Sequence, residues 1–583
     1  MRNTEKPGHL FSRLVRRVQA SFDRGEVDEI PAAAFGAAPT TMTATAVAAP
    51  RHDESASTLS GSAATELINE GLRERREHGV LAAKPYFERA AILDPSSHVP
   101  VFMLGNVASE LGDLDTAVSH YERARDLHPT DYVVRYNLGL NQMWRGYVDE
   151  AIEQLRVACQ LNPSYLQAQS SLIMALHNSD KVTPEEIASV TREWGQTFVR
   201  QNYVHTPIEP HACPAKGVPA LLRIGFLSGD FRTHSVAHFF EPIVSAHDRS
   251  SVHYTLYSTA IHQDTVTARL RACADDWRDV ARMPVDELVN QIRNDKIDIL
   301  VDLAGHTEFN RLAALVHRVA RVQVSYLGYP DSTGLPSMDF RITDEVTDPE
   351  FSADAWHCER LLRLPTSQWC FRPYGSLPPP GPLPARDAGF VTFGSFNSIT
   401  KVSDTTLLCW ARILVGLPEA RLRLTRLRSP QRCRDILDLF GRFGVAPERL
   451  EFVPYRTDAP YGSQFDGVDI ALDPYPYNGV TTTCESLYFG VPVISLHGRN
   501  GVSRSGLSIL RALDLEELAA SSPDEYVQIA IALAGDVTRL ESLRSSLRAR
   551  FEQSSLRDEK RFAANFEELL RMAWRCSRSV DIA

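Results

Sequence analysis

From residue 222 onward, short apolar runs alternate with longer stretches whose apolar positions recur at helical spacing. Segments 223–227, 254–257, 296–303 and 322–327 read as buried strands, with helices expected over 264–273, 285–294 and 309–318. A second series begins at Phe390-Val-Thr-Phe-Gly-Ser-Phe-Asn397. It continues as helix 403–415, strand 421–426, helix 430–442, strand 450–453, strand 470–472, a helix opening at Thr481 and strand 493–496. Helices over roughly 523–575 are expected to cover this second unit. Strands alternating with helices imply parallel sheets, because each parallel return needs a crossover. The proline-rich segment 375–389 separates the two units as a stiff linker. Two α/β lobes, 222–374 and 390–583, leave a cleft that faces the carboxyl ends of their strands, where such sheets bind ligands.

Upstream the pattern is purely helical and periodic. Pro95, Pro129 and Pro163 recur at a step of 34 residues, as do Ala83, Ala117 and Ala151. The same step links Phe87, Tyr121 and Leu155, then Ala90, Ala124 and Ala158, then Gly71, Gly105 and Gly139. Small residues where two helices touch, a large one beside them and a closing proline make the tetratricopeptide pattern. Each unit is a helix pair that cannot bury its apolar face alone, so the units stack into a solenoid over 61–201. Gly79 stands one place late against Gly112 and Gly146. Helices near 165–177 and 184–201 cap the stack, and 202–221 is a linker. A concave helical surface suits an extended polypeptide. Asn106, Asn137 and Asn141 are candidates to bond its backbone, although each taken singly reads as a solvated helix residue.

Composition narrows the class. The 583 residues are 43% hydrophobic and 23% charged, an ordinary soluble balance, and the net charge of −11 disfavours general nucleic-acid binding. Nine scattered cysteines without a CxxC pair fit a reducing compartment and no structural zinc. The first residues lack the apolar core of a signal peptide, and the uncharged stretch 31–50 is too weakly apolar for a membrane helix. Residues 1–60 read as a disordered tail, with a short basic helix over 11–22, and a cytoplasmic location without a membrane span is expected.

The candidate chemistry concentrates at Asn478-Gly-Val-Thr-Thr-Thr-Cys-Glu-Ser-Leu-Tyr-Phe-Gly-Val-Pro492. Asn478-Gly479 marks a turn, and Thr481, Thr482 and Thr483 fall where a helix begins. Backbone N–H groups, hydroxyls and the positive helix end would converge there on an anion. Glu485, one turn in, is placed to meet a sugar hydroxyl. An ordinary capped helix shares this local pattern.

That stretch resembles the donor-site signature of the SPINDLY and O-GlcNAc transferase family, glycosyltransferase family 41. So do Arg223-Ile-Gly-Phe-Leu-Ser-Gly-Asp-Phe-Arg-Thr-His-Ser-Val236, Leu327-Gly-Tyr-Pro-Asp-Ser-Thr-Gly334 and Phe393-Gly-Ser-Phe-Asn-Ser-Ile-Thr-Lys401. The resemblance covers about 222–575 together with the repeats. It implies a two-lobed GT-B fold behind an α-solenoid, and a protein Ser/Thr glycosyltransferase. It implies Lys401 as the essential cation facing a diphosphate, with Asn397, Gly479 and Thr481 to Thr483 around the donor and Glu485 at the ribose. Leu327, Gly328 and Pro330 match a loop that shapes the sugar pocket, and 455–464 is a place for the nucleobase. His234 matches a cleft histidine that acts either as general base or as an orienting group; Asp230 beside it and His306 are further candidates, each with a structural alternative. No metal and no cofactor beyond the nucleotide-sugar substrate are implied, and no DxD element occurs in the cleft motifs. Val480-Thr-Thr-Thr-Cys-Glu485 looks like the SPINDLY branch, which implies GDP-fucose, whereas the wider family implies UDP-GlcNAc. A repeat scaffold with an inactive or ligand-sensing lobe, and a GT-B enzyme acting on glycans or asparagine, are the alternative readings.

Overall fold

A computed structural model describes residues 59–202, 218–375, 379–453 and 461–577. All but the last two residues of the expected tail, and most of the 202–221 linker and of the nucleobase segment, lie outside these residues. The solenoid consists of helices Leu59–His78, Val80–Leu93, His98–Glu110, Leu114–Leu127, Tyr132–Arg145 and Val148–Leu161, followed by Leu166–Leu176 and Pro184–Asn202. Its periodicity has a direct steric basis. A Cβ on Gly71 would lie 2.7 Å from the Phe87 ring, one on Gly105 2.6 Å from Tyr121, and one on Gly139 2.9 Å from Leu155. Each large side chain of a second helix thus sits on the bare backbone of the first. Ala83, Ala90, Ala117, Ala124, Ala151 and Ala158 are fully buried at the same contacts. Gly79, Gly112 and Gly146 all take positive φ, but the displaced Gly79 differs from Gly146 in ψ, 177° against 20°, so the first unit turns differently.

The first lobe holds a parallel sheet of β1 (Leu222–Ser228), β2 (Val252–Ser258), β3 (Asp276–Asp279), β4 (Ile299–Asp302), β5 (Val322–Ser325), β6 (Phe340–Asp344) and β7 (Arg360–Leu364). Their order is β3-β2-β1-β4-β5-β6-β7. The second lobe holds β8 (Thr392–Ser395), β9 (Arg421–Thr425), β10 (Leu450–Val453), β11 (Ile470–Leu472), β12 (Val493–Leu496) and β13 (Ala519–Ala520), ordered β10-β9-β8-β11-β12-β13. Both orders reverse direction beside their first strand, which opens a crevice at the strand ends. The helix expected over 309–318 shrinks to Leu312–Leu315, and helix Pro384–Ala388 breaks the proline-rich segment.

One expectation fails. The C-terminal helices do not all cover the second lobe: helix Glu559–Ser577 returns to the first and packs on helix Ser235–Ala246 and on β5 and β7. Its Phe566 ring stacks 6.3 Å from Phe226 and lies 5.3 Å from Tyr326. The helix carries a strong apolar stripe (Phe562, Phe566, Leu569, Leu570, Ala573), all buried against this outer face of the first sheet. A single apolar core consequently runs through both lobes.

The solenoid is joined to both lobes as well. Against the first, His177 Nε2 lies 2.8 Å from the Tyr329 hydroxyl, and Gly195 meets the Gly334 backbone so closely that no side chain fits. Against the second, Asp115 accepts from Ser429 Oγ (2.6 Å) and from the Gln431 N–H (3.0 Å), and the Tyr147 hydroxyl donates to Asp435. The Thr405 N–H donates to Asp180 at 3.0 Å.

Candidate active site

The centre of the site is the junction between β11 and the helix Thr481–Tyr488. Asp473 leaves the end of β11, and Pro474 and Pro476 prevent the strand from continuing. The buried Asp473 carboxylate accepts from the Gly479 N–H at 2.7 Å and from Ser495 Oγ at 2.9 Å, with Asn397 Nδ2 at 3.4 Å. These bonds fix the turn that starts the helix. No side chain caps that start, and the first intrahelical bond runs from the Cys484 N–H to the Val480 carbonyl. The N–H groups of Thr481, Thr482 and Thr483 therefore precede the helical ladder and, with the helix dipole behind them, favour an anion. Thr482 Oγ1 donates to Asn397 Oδ1 at 3.0 Å, while the buried Thr483 hydroxyl has no partner. Gly479 is required by space: a Cβ would come within 2.8 Å of Thr483 Oγ1 and 2.9 Å of Asn397 Oδ1.

Lys401 reaches this junction from the turn Ile399–Lys401 that follows β8. Its Nζ donates to the Asn478 carbonyl at 3.0 Å and stands 4.0 Å from the Tyr477 ring centre. Burial pulls its pKa below the ordinary lysine value, with the Asp473 carboxylate opposing and Arg426 reinforcing that shift. Burial raises Asp473 in turn. A half-buried lysine, an uncapped helix start and an unpartnered buried hydroxyl thus gather around the Asn478–Gly479 turn, an arrangement whose polarity suits negative charge.

One turn into the same helix, Glu485 is buried and accepts from the Tyr461 hydroxyl at 2.6 Å. Burial raises its pKa. Tyr461 leads across the cleft, with its ring 6.2 Å from Tyr374 and 6.4 Å from His238. The Tyr374 hydroxyl donates to the His234 carbonyl at 3.2 Å. His234 opens helix Ser235–Ala246. Its Nδ1 lies 3.3 Å from the Val236 N–H and 3.4 Å from Asp230 Oδ1. Burial lowers its pKa, Asp230 resists that shift, and Arg232 adds to it. The loop after β5 closes the near wall. Leu327 holds φ of 73°, an unusual conformation for a branched residue, and Gly328 presses on the Leu303 carbonyl. Pro330 approaches Gly501 of the opposite lobe.

Most of the expected residues hence converge on the cleft from both lobes. His306 is placed otherwise. It is buried between solenoid and first lobe, with Nδ1 3.1 Å from Ser170 Oγ and Nε2 3.0 Å from the Thr333 carbonyl; Trp194 and Tyr329 flank its ring. Burial pushes its pKa down to about 4, so a neutral ring pins the joint. The asparagines of the solenoid are also engaged internally. Asn141 accepts from Ser109 and donates to the Asn137 carbonyl, and Asn106 accepts from Tyr121. Asp473, Tyr477 and the Asn478 carbonyl are not singled out by the sequence pattern. The available signal was Asp473 itself, a carboxylate at the end of a strand just before a proline loop.

Two Rossmann-like lobes with a shared core and a returning C-terminal helix, set behind a tetratricopeptide solenoid, have the two-lobed GT-B architecture. A profile of glycosyl transferase family 41 matches residues 163–370 and 383–566, and the chain belongs to that family. A Solanum lycopersicum protein named "probable UDP-N-acetylglucosamine–peptide N-acetylglucosaminyltransferase SPINDLY" is 37% identical over 71% of the chain and 45% of its own length. The SPINDLY protein of Arabidopsis thaliana is 35% identical over 71% of the chain and 46% of its length. The Arabidopsis SEC protein is 28% identical over 60% of the chain. The chain therefore spans less than half the length of these curated relatives. Among solved structures, an O-GlcNAc transferase from Thermobaculum terrenum, a lysine-to-methionine mutant, superposes with a TM-score of 0.78 at 33% identity over 90% of the chain and 100% of that chain. Among the described residues no helix is long and apolar enough to cross a membrane.

Proposed function

We propose that the chain transfers a sugar from a nucleotide sugar to serine or threonine hydroxyls of proteins bound along the solenoid. The observation that carries this reading is the shared floor of Lys401, the uncapped start of helix Thr481–Tyr488 and the unpartnered Thr483 hydroxyl. The diphosphate lies on that floor, with the ribose at Glu485 and the sugar toward Leu327, Gly328 and Pro330. The acceptor oxygen attacks the anomeric carbon from the face opposite the nucleotide. The bond from that carbon to the diphosphate breaks, and the nucleoside diphosphate leaves with the bonding pair. Lys401 and the helix dipole stabilise the charge that develops on it, in place of a divalent cation.

His234 takes the acceptor proton in this reading. When Nδ1 carries hydrogen, Asp230 at 3.4 Å receives it and Nε2 is left free as a base. The alternative tautomer, with Nδ1 accepting from the Val236 N–H, makes Nε2 a donor that orients substrate.

The names of the relatives support UDP-GlcNAc as donor; the Val480-Thr-Thr-Thr-Cys-Glu485 run supports GDP-fucose. Binding of UDP and GDP, followed by peptide labelling from each nucleotide sugar, separates the two. Lys401→Ala is expected to lower labelling by about a thousandfold, in line with the loss of a main transition-state charge partner. Unchanged turnover in that variant would overturn the mechanism, and binding of neither nucleotide would favour the scaffold reading.

A further inference from the structure

Among the described residues, one group of metal-ligating side chains stands apart from the cleft, in the solenoid. His98 begins helix His98–Glu110, His128 follows helix Leu114–Leu127, and Asp131 precedes helix Tyr132–Arg145. Their ligand atoms all lie within 4.8 Å of one another. His98 Nε2 is 3.0 Å from Asp131 Oδ2, and the His98 and His128 rings stand 4.6 Å apart. The other Asp131 oxygen is occupied: Oδ1 accepts from the Val133 and Val134 N–H groups at 2.8 and 3.2 Å. The carboxylate is thus held rigidly by the helix start, with Oδ2 turned to the histidines.

The repeat provides an internal comparison. One step of 34 residues on, His98, His128 and Asp131 correspond to Tyr132, Asn162 and Tyr165. There the two tyrosine rings close the same joint edge to face, 5.1 Å apart. One step back the positions hold Ala64, Asp94 and Ser97. A joint that needs only packing elsewhere carries two imidazoles and a carboxylate at this single repeat.

We propose that His98, His128 and Asp131 bind a borderline divalent cation of the zinc type, with water in the fourth position. Two imidazoles on a tetrahedral ion at the usual Zn–N length have ring centres about 5 Å apart; the rings here are stacked at 4.6 Å with 29° between their planes, so they must reorient but need not separate far. Ligand atoms around such an ion are about 3.4 Å apart. The His98–Asp131 pair already meets that edge, and rotation of the exposed His128 side chain closes the rest. The ion replaces the hydrogen bond between His98 and Asp131. It ties one repeat to the next at the start of helix Tyr132–Arg145, whose far end at Gly146 rests on Ile399 beside Lys401. The site is structural and separate from sugar transfer.

The test uses the full chain, stripped with a chelator and titrated with zinc chloride by calorimetry, and in parallel with cobalt chloride by absorption. Wild type is expected to bind one zinc equivalent that His128→Asn loses or binds at least tenfold more weakly, and cobalt is expected to give the intense visible bands of a tetrahedral site. His128 is exposed and caps helix Leu114–Leu127 through its backbone alone, as Asn162 does one repeat on, so His128→Asn keeps the fold, checked by circular dichroism; Asp131→Ala is avoided because it removes a side-chain cap. Absence of a stoichiometric zinc equivalent in wild type, or equal binding in His128→Asn, overturns the proposal.

Discussion

Gly146, in the solenoid, lies against Ile399, two residues before Lys401: a Cβ built on Gly146 would stand 2.7 Å from Ile399 Cγ1 and 3.2 Å from its carbonyl oxygen. The repeat domain therefore touches the turn that carries the cation of the candidate site. Gly112 occupies the equivalent place one repeat earlier, also at positive φ, but a Cβ there meets nothing within 4 Å. The two glycines separate a backbone effect from a contact effect. Gly112→Ala is expected to cost about 1 kcal/mol of stability and leave turnover unchanged. Gly146→Ala pays the same backbone cost and also displaces Ile399, so kcat is expected to fall severalfold as well. Thermal unfolding and steady-state kinetics on both variants check this, and equal kinetics in the two would show that the contact does not reach Lys401.

Asp473 joins the two halves of the donor floor. Its carboxylate holds the Gly479 N–H and Ser495 hydroxyl while its charge opposes that of Lys401. Asp473→Asn retains the shape but presents only one acceptor oxygen and no charge. One of the two donors, the Gly479 N–H or the Ser495 O–H, then faces the amide NH2 instead of a carboxylate oxygen and loses its acceptor in a buried place, which costs about 1–3 kcal/mol. The expected outcome is a fall of about 100-fold in kcat/KM for the donor, with circular dichroism unchanged. A variant with wild-type kinetics would remove Asp473 from the site.

Much of this fold is legible in the sequence, for identifiable physical reasons. Gly71, Gly105 and Gly139 recur because Phe87, Tyr121 and Leu155 need bare backbone to sit on, so the solenoid announces itself by period. Strands β11 and β12 have the bounds expected because they are fully buried and apolar except for Ser495, and because Asp473-Pro474 and a polar loop follow them. Strands β6 and β7 were hidden because charge interrupts them: Arg341 is buried within β6 opposite Asp348, and β7 alternates Arg360 and Arg363 with leucines. The returning helix Glu559–Ser577 was invisible because an amphipathic helix declares an apolar face without declaring which sheet covers it. The Lys401–Asp473 pair was half visible, since the two residues lie far apart in sequence and only the turn at Gly479 brings them together.

Asp230 and His234 give a kinetic distinction between base and orienting roles. If Asp230 holds the Nδ1–H of His234, Asp230→Asn disfavours that tautomer and removes the free Nε2. In that case kcat is expected to fall about 100-fold with the KM for the donor little changed, within the range of general base catalysis. If His234 only orients substrate through Nε2–H, Asp230→Asn leaves kcat within about threefold while His234→Ala raises KM. Measuring both parameters for both variants decides between the tautomers.

The pH dependence of the reaction should carry the signature of Lys401. Burial depresses its pKa in the free protein, and the charged form is the one that holds the diphosphate. As pH rises through that depressed value the ammonium is lost, so kcat/KM for the donor declines on the alkaline side. Bound diphosphate favours the ammonium and raises the pKa, so kcat declines only at higher pH. The alkaline limb of kcat/KM is expected to shift further down in Asp473→Asn, because that carboxylate is the group that opposes the depression. In Lys401→Arg the limb should vanish from whatever activity remains, since a guanidinium stays charged throughout the range. An alkaline limb at the same pH in wild type and Lys401→Arg would assign it to another group, and Lys401 would then be a donor contact without a titrating role.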